Sequence, residues 1–423
     1  MHCGSRRRRG CWNRMTSPPR DRPMSRGVIW NRGQAFAYAK WLDRRASDFL
    51  LISEVDRADA GAFGAFIKLD SLDSCPTLEQ TSRDWLGDMG PRVLFAHSEK
   101  DLERAAAARS WLGLEGQSLE SATAFKDKHA MKAHARISKV ATASHRKVRY
   151  PSDLSHFVEE FGYPVVVKPV DGSGSRGVEV IEGEAALRSF CERRWPWPPT
   201  LVESFVRGSM FHADGVAVDG QLRAFSVSEY LNGCLAYQHA EPLGSTLRDE
   251  SEPIVTALRD ELAKILAGFP RTRVLPFHAE FFVGDDGAAT LCEIASRTGG
   301  ARVVDTVAAF RGINLNELWF KCELGIEPPL APHEPASSGG WVLIPPSPGR
   351  VVSMPGECPF PWVVDYSAKV ASGDVVKPAV ASIDYVASFV VRGADARETR
   401  TRLGTLVEWF MGEYRVEPLA SAT

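Results

Sequence analysis

Two glutamates in apolar surroundings are the first residues of this chain equipped for chemistry. Glu280 lies in the run Phe277-His278-Ala279-Glu280-Phe281-Phe282-Val283 and Glu293 in Leu291-Cys292-Glu293-Ile294-Ala295, with Gly284-Asp285-Asp286-Gly287 between them. Short apolar runs joined by an Asp-Asp-Gly turn predict a β-hairpin. A carboxylate among hydrophobic residues is costly unless it is paired or binds a metal. Two of them facing across a hairpin make a hard-oxygen site suited to Mg²⁺, which binds through a few carboxylates plus substrate phosphates. Alone, the hairpin reads more readily as two strands with solvent-facing glutamates. An upstream constellation reverses that preference. Tyr163-Pro164-Val165-Val166-Val167-Lys168-Pro169 ends a valine run with a lysine and leads into Asp171-Gly172-Ser173-Gly174-Ser175-Arg176-Gly177. The lysine can reach a phosphate, and the loop's N–H groups form an anion-binding nest with Ser173, Ser175 and Arg176 as further donors. No Gly-Lys-Ser/Thr closes this loop, and its glycine spacing is not the dinucleotide fingerprint. By itself it would be a linker; with the lysine and the two carboxylates it reads as a site.

The elements that must position these groups follow from periodicity. Val28–Trp30, Phe49–Ile52 and Val93–Ala96 read as strands, and Gln34–Arg44 and Asp101–Trp111 as helices. The second helix carries acidic residues in its first turn, favourable to the helix dipole. Alternating strands and helices predict a parallel α/β domain over residues 27–120. Glu252–Ala267 has apolar residues at helical spacing (Ile254, Leu258, Leu262, Ile265, Leu266) and reads as a packing element without a catalytic role. Leu330–Ser338, rich in proline, reads as a linker. Beyond it, Trp341–Ile344 and Val386–Val391 read as strands and Thr401–Phe410 as an amphipathic helix, together a β-rich C-terminal subdomain over residues 339–423.

The chain is long enough, at 423 residues, for two or three domains with real cores. A formal net charge of −2 gives no reason to expect a nucleic-acid or membrane surface, and no apolar run approaches bilayer length. The eight cysteines are scattered without a Cys-x-x-Cys pair, as free thiols in a reducing cytoplasm would be. Residues 1–26, with Arg6 to Arg9 consecutive, read as a disordered basic leader without the hydrophobic region of an export signal. Met15 and Met24 are both plausible natural starts.

Four separated motifs resemble the ATP-grasp superfamily of carboxylate–amine ligases, over roughly residues 90–325. They are Phe125-Lys126-Asp127-Lys128-His129-Ala130-Met131-Lys132; Val167-Lys168-Pro169 with its Gly/Ser loop; Leu201-Val202-Glu203-Ser204-Phe205-Val206-Arg207-Gly208; and the Glu280/Glu293 hairpin running on to Ser296-Arg297-Thr298-Gly299-Gly300. The ending after Glu293 is similar to the L-amino-acid ligase, or dipeptide synthetase, group. Ala295 departs from groups that carry asparagine there. The resemblance implies an α/β and α+β architecture: one clamping lobe over residues 121–202 with the glycine-rich loop, and a second over 203–330 with the metal hairpin. Trp195-Pro196-Trp197-Pro198-Pro199 reads as a stiff surface connection between these lobes.

The chemistry implied by the resemblance is activation of a carboxylate as an acyl phosphate by ATP, followed by attack of an amine. Lys128 and Lys168 would hold phosphate oxygens, and Glu280 and Glu293 would hold Mg²⁺, with Mn²⁺ able to substitute. Ser173, Gly174, Ser175, Arg176 and Gly177 would close over the γ-phosphate. Glu203, Phe205 and Val206 would hold adenine, with no acidic residue at the usual ribose position. Arg297, Lys168 and Ser175 are the candidate catalytic residues; Arg297 would stabilise charge on the acyl phosphate, and its bland alternative is a salt bridge to Glu280 or Asp305. His278, two before Glu280 on the same strand face, could reach the site or be a satisfied core histidine. Arg302 could anchor a substrate carboxylate, and His212, His239 and Glu241 lie near a loop that could line the acceptor pocket. The expected partners are ATP and small carboxylate and amine substrates (amino acids or peptides), with neither nucleic acid nor membrane; a homodimer is compatible. Two alternatives stand beside the ligase: an ATP-grasp enzyme with bicarbonate, a thiol or a nucleotide-pathway amine as nucleophile, and a nucleotide-binding regulatory protein without turnover.

Overall fold

The computed structural model describes residues 26–88, 90, 92–326, 328 and 338–419. The expected basic leader, except Arg26, and the expected linker, except Ser338, lie outside the described residues. Two compact units divide the chain, one up to Glu115 and one from Gly116.

In the first unit, the strands Ala65–Lys68, Phe49–Ser53, Arg26–Asn31 and Arg92–Ala96 lie in that order as a parallel sheet. Its core joins Val28, Trp30, Leu50 and Ile52 to Leu78, Leu86, Ala105 and Ala108 of two covering helices, Leu78–Leu86 and Leu102–Leu112. The helix expected over Gln34–Arg44 is shorter, Tyr38–Leu42, because Asp43 takes φ +49° and the chain continues as a 3₁₀ turn. The Ala65–Lys68 strand and the Leu78–Leu86 helix were not foreseen. Four residues give too short a pattern for a strand, and the helix shows its apolar face only at Leu78 and Leu86, with Ser82 between.

The second unit holds two sheets that carry the site. A four-stranded antiparallel sheet orders His145–Val148, Thr200–Ser204, Val165–Pro169 and Glu179–Ile181. The helices Pro151–Phe161 and Glu184–Arg194 bury Leu154, Phe157, Leu187 and Phe190 against Val148, Val165, Val167 and Val202. The Trp195–Pro199 run joins a helix to a strand inside this one lobe instead of bridging two, and the Trp197 ring packs tilted against Phe190 with centroids 5.6 Å apart.

The larger sheet has eight antiparallel strands, ordered Ala289–Ala295, Val274–Val283, Ser209–Val218, Gln221–Tyr230, Leu243–Leu247, Ser338–Ile344, Ala387–Gly393 and Val363–Ala368. The C-terminal strands thus extend the hairpin's sheet, with Ser245 registered on Trp341, although residues beyond Ser338 also form a core of their own around Phe389, Leu403, Leu406 and Phe410. The helix Pro253–Gly268 buries Val255, Leu258, Leu262 and Ile265 against Phe277, Phe281 and Ile294. It packs, as its spacing predicted, and lines neither site cavity described below.

Candidate active site

The hairpin forms in the register its sequence suggests. Glu280 on Val274–Val283 and Glu293 on Ala289–Ala295 are direct cross-strand partners, with a bulge immediately after Glu280. Side chains of directly paired residues share one face of a sheet, and both glutamates line the same cleft of about 460 Å³. That volume is typical of a small-molecule site.

The lysines reach the cleft from two elements. Asp127 caps the helix Lys128–Ile137, accepting from the N–H groups of His129 and Ala130 at 2.9 Å each. Lys128, Met131, Lys132 and Ala135 are its buried face, the i, i+3, i+4, i+7 spacing of one helical stripe. Lys128 Nζ donates to the Gly172 carbonyl at 2.5 Å and lies 3.0 Å from Glu293 Oε2. It therefore ties the glycine-rich loop to the hairpin.

Lys168, on Val165–Pro169, contacts Glu203 Oε1 at 2.9 Å, and Lys132 contacts the same oxygen at 3.2 Å. Burial alone would raise the Glu203 carboxyl, but the two ammonium groups outweigh it and hold the pKa below the ordinary value. Glu203 was expected to face adenine. Its carboxylate is engaged by two lysines instead, leaving its backbone and its neighbours for any nucleotide. Ala143, Val166, Phe205, Val206, Met210 and Phe282 supply the cleft's apolar part. Lys132 was not singled out from the sequence, although its position four residues after Lys128 on one helix was the available signal.

Glu280 is set in a buried polar chain. It accepts from Tyr230 Oη at 2.8 Å and Cys234 Sγ at 3.3 Å, and His278 Nε2 lies 3.4 Å away. The other ring nitrogen of His278, Nδ1, contacts Asp214 at 2.8 Å, which also takes His212 Nδ1 at 2.5 Å; Ser245 Oγ holds His212 Nε2 at 2.9 Å. With an acceptor at each nitrogen, His278 must donate twice. Burial opposes its charge, but Asp214 and Glu280 outweigh burial and raise its pKa to about 10. Burial likewise opposes ionisation of Glu280, while the His278 hydrogen bond and charge pull its pKa down to about 2. His278 therefore braces the Glu280 carboxylate. Asp214 and His212, neither given this role from the sequence, brace His278 in turn.

Two oxyanion-bearing carboxylates side by side, one backed by an imidazolium and one by a lysine, form a donor set that fits a hard divalent cation. The glycine-rich loop adopts positive φ at Gly174 (+62°), Ser175 (+54°) and Gly177 (+72°). It is held on two sides: Tyr237 Oη donates to the Ser175 carbonyl at 2.9 Å, and the Ser382 N–H donates to the Gly174 carbonyl at 3.0 Å. Ser175 and Arg176 line the main cleft, whereas Ser173 and Gly177 line neither cavity. Arg297 donates to the Thr298 carbonyl at 3.0 Å and lines a smaller adjoining cavity with Gly174, Ser175, His278, Glu280 and Glu293. Asp305 pairs with Arg302 at 2.5 Å. Arg302 also bonds Asp365 and Ser388, so its guanidinium joins elements of the fold. His239 and Glu241 line neither cavity.

The two sheets, with lysines from one lobe opposite carboxylates from the other, are matched by known folds. The L-amino acid ligase of Bacillus licheniformis superposes with a TM-score of 0.71 over 95 % of this chain and 100 % of its own, at 16 % identity. The chain has the ATP-grasp fold. An Aspergillus clavatus N5-carboxyaminoimidazole synthase, solved with ADP and an aminoimidazole ribonucleotide, shares this ATP-grasp fold with a TM-score of 0.66 over 92 % of this chain and 99 % of its own, at 15 % identity. Residues 126–202 match the family described as the carbamoyl-phosphate synthase L chain, ATP binding domain. The ATP-grasp chain is also 24 % identical over 259 residues to an L-arginine-specific L-amino acid ligase of Bacillus subtilis, a match covering 60 % of this chain and 62 % of the relative. No helix among the described residues is long and apolar enough to cross a membrane.

Proposed function

We propose that this ATP-grasp protein is an ATP-dependent carboxylate–amine ligase that joins an amino acid to an amine, releasing ADP and phosphate. The observation that carries the reading is the direct pairing of Glu280 with Glu293 in a cleft that also holds Lys128 and Lys168, next to a cavity containing Arg297. The likeness to L-amino acid ligases supports the choice of an amino acid as substrate.

Lys128 and Lys168 neutralise phosphate oxygens of ATP, while the apolar stretch from Val166 to Phe282 takes the base. Glu280 and Glu293 would hold Mg²⁺, which when bound would supply charge neutralisation and Lewis-acid polarisation of the transferred phosphoryl group. Arg297 offers a planar pair of donors to the acyl phosphate and to the oxyanion that forms when the amine attacks. The pinned glycine-rich loop excludes water from an intermediate that water would hydrolyse.

The test is to incubate the protein with ATP, Mg²⁺ and amino acids, alone and in pairs, following ADP release and amide mass. Adding hydroxylamine should trap the acyl phosphate as a hydroxamate. ADP release that needs a carboxylate and yields an amide is the expected result. Release that is indifferent to the carboxylate, or none at all, overturns the reading.

A further inference from the structure

The glycine-rich loop is held from outside itself at four carbonyl oxygens. Lys128 Nζ donates to Gly172, Tyr237 Oη to Ser175 and Gln238 Nε2 to Val178, the last at 2.8 Å. The fourth donor is the Ser382 N–H, 3.0 Å from the Gly174 carbonyl. All four contacts are made to carbonyls, so none of them occupies an N–H group of the anion-binding nest. The loop's backbone needs such support. Ser175 takes φ +54° beside Gly174 at +62°, and a residue other than glycine keeps that conformation only where its surroundings over-determine it.

Of the four donors, only Ser382 belongs to the C-terminal part of the chain. It stands second in the turn Ala381–Asp384, which closes with the Asp384 N–H donating to the Ala381 carbonyl at 3.1 Å. The Asp384 carboxylate accepts from the N–H groups of Val380 at 2.8 Å and Ala381 at 3.0 Å. Two residues further on, the Val386 N–H donates at 2.9 Å to the carbonyl of Ile344, the last residue of a strand in the large sheet. The turn is therefore a braced projection of that sheet, and it lies directly against the loop. A methyl group on Gly174 would sit 3.7 Å from Ile383 Cγ1 and 3.9 Å from the Ala381 methyl.

We propose that Ser382 is a positioning residue: through its N–H, the Ala381–Asp384 turn keeps the glycine-rich loop shut while an acyl phosphate is present, and so sets how much of that intermediate is lost to water. This rests on the ligase reading and adds the C-terminal turn to it. When the loop opens early, water attacks the acyl phosphate and regenerates the carboxylate and phosphate, so ADP forms without amide.

The experiment compares the full-length wild type with Ser382→Ala, which keeps the N–H, and Ser382→Pro, which removes it. Proline suits the second position of the common β-turns, so the turn itself should survive. Trypsin cleavage after Arg176, an exposed loop residue, is followed by fragment mass and reports loop opening whatever the reaction is. Amide formed per ADP, with ATP, Mg²⁺ and the amino acid pair most active in the screen above, reports loss to water. One lost hydrogen bond should raise the open fraction about fivefold to tenfold, and cleavage follows that fraction where opening is fast. Ser382→Pro should be cut faster by that factor and give less amide per ADP, while Ser382→Ala matches wild type and Tm is little changed in both. Cleavage or amide yield unchanged in Ser382→Pro overturns the proposal, as does an equal change in Ser382→Ala. If Ser382→Pro does not fold, Asp384→Ala carries the test by removing the acceptor that braces the turn. It should move both readouts in the same direction, and no movement overturns the proposal. A wild type that forms amide while the variants leave both readouts unmoved refutes this assignment alone. One that forms no amide with any pair refutes the ligase reading and this proposal with it.

Discussion

At the scale of single residues, the site is a set of charges each held by an opposite one. Glu280 stays ionised in a buried position because His278 donates to it, and Lys128 lies 3.0 Å from the Glu293 carboxylate. Replacing either glutamate by glutamine keeps its shape and removes the charge proposed to hold the metal. ATP turnover should fall by at least about a hundredfold, on the order of the 3 kcal/mol lost with one electrostatic stabiliser in a dry site. A coupled assay for ADP under saturating substrates reads this, and near-normal turnover in either variant removes that glutamate from the metal pair. Arg297→Lys separates two roles. Lysine keeps the charge but loses the planar fork, so nucleotide affinity and Tm should hold while kcat drops, again roughly a hundredfold. A variant with lower Tm and intact kcat would make Arg297 a structural cation. The sequence exposed the glutamates because carboxylates in apolar runs stand out. It concealed Asp214, Tyr230 and Cys234, whose roles come only from side chains brought together across strands.

Elements place these charges, and the Lys128–Ile137 helix does so for two at once. Its amphipathic stripe sends Lys128 to the hairpin and Lys132 to Glu203, which joins it to Lys168 of the neighbouring strand. Glu203 thus compensates two buried ammonium groups. Glu203→Gln should lower stability by about 3–5 kcal/mol, because removing one partner leaves buried charge uncompensated. Urea unfolding measures it. If the variant retains stability and loses only nucleotide affinity, Glu203 serves the base and not the lysines. The sequence marked Glu203 through its hinge motif but not its partners, since a strand glutamate can face either side of a sheet and register decides which.

Across the molecule, stability is distributed between two units with separate cores. In the first, His97 directly follows the Arg92–Ala96 strand, its ring tilted against Phe36 with centroids 3.7 Å apart and Nδ1 3.2 Å from the Tyr38 hydroxyl. Burial pushes its pKa down to about 3, below the ordinary 6.5. Folding therefore favours neutral His97. The stabilisation is fully present above pH 6.5 and is lost as pH falls from 6.5 toward 3, where the unfolded chain gains a proton the folded one resists. His97→Gln should flatten that acid loss, seen as a smaller fall in Tm between pH 6.5 and 4.5 than in wild type. Parallel curves for the two proteins would show that His97 is not the titrating group.

What the sequence determined by itself was local in origin. The Asp-Asp-Gly turn, the Gly/Ser loop after a valine run and the Leu258–Leu262–Ile265 stripe each encode structure within a dozen residues. The order of the motifs carried the ATP-grasp resemblance as well. Only the tertiary structure decided that the C-terminal strands extend the hairpin's sheet and that Ser382 reaches the glycine-rich loop. Those contacts join residues far apart in the chain, and strand order and register arise from which buried faces pack together. Spacing in the sequence carries no record of that packing.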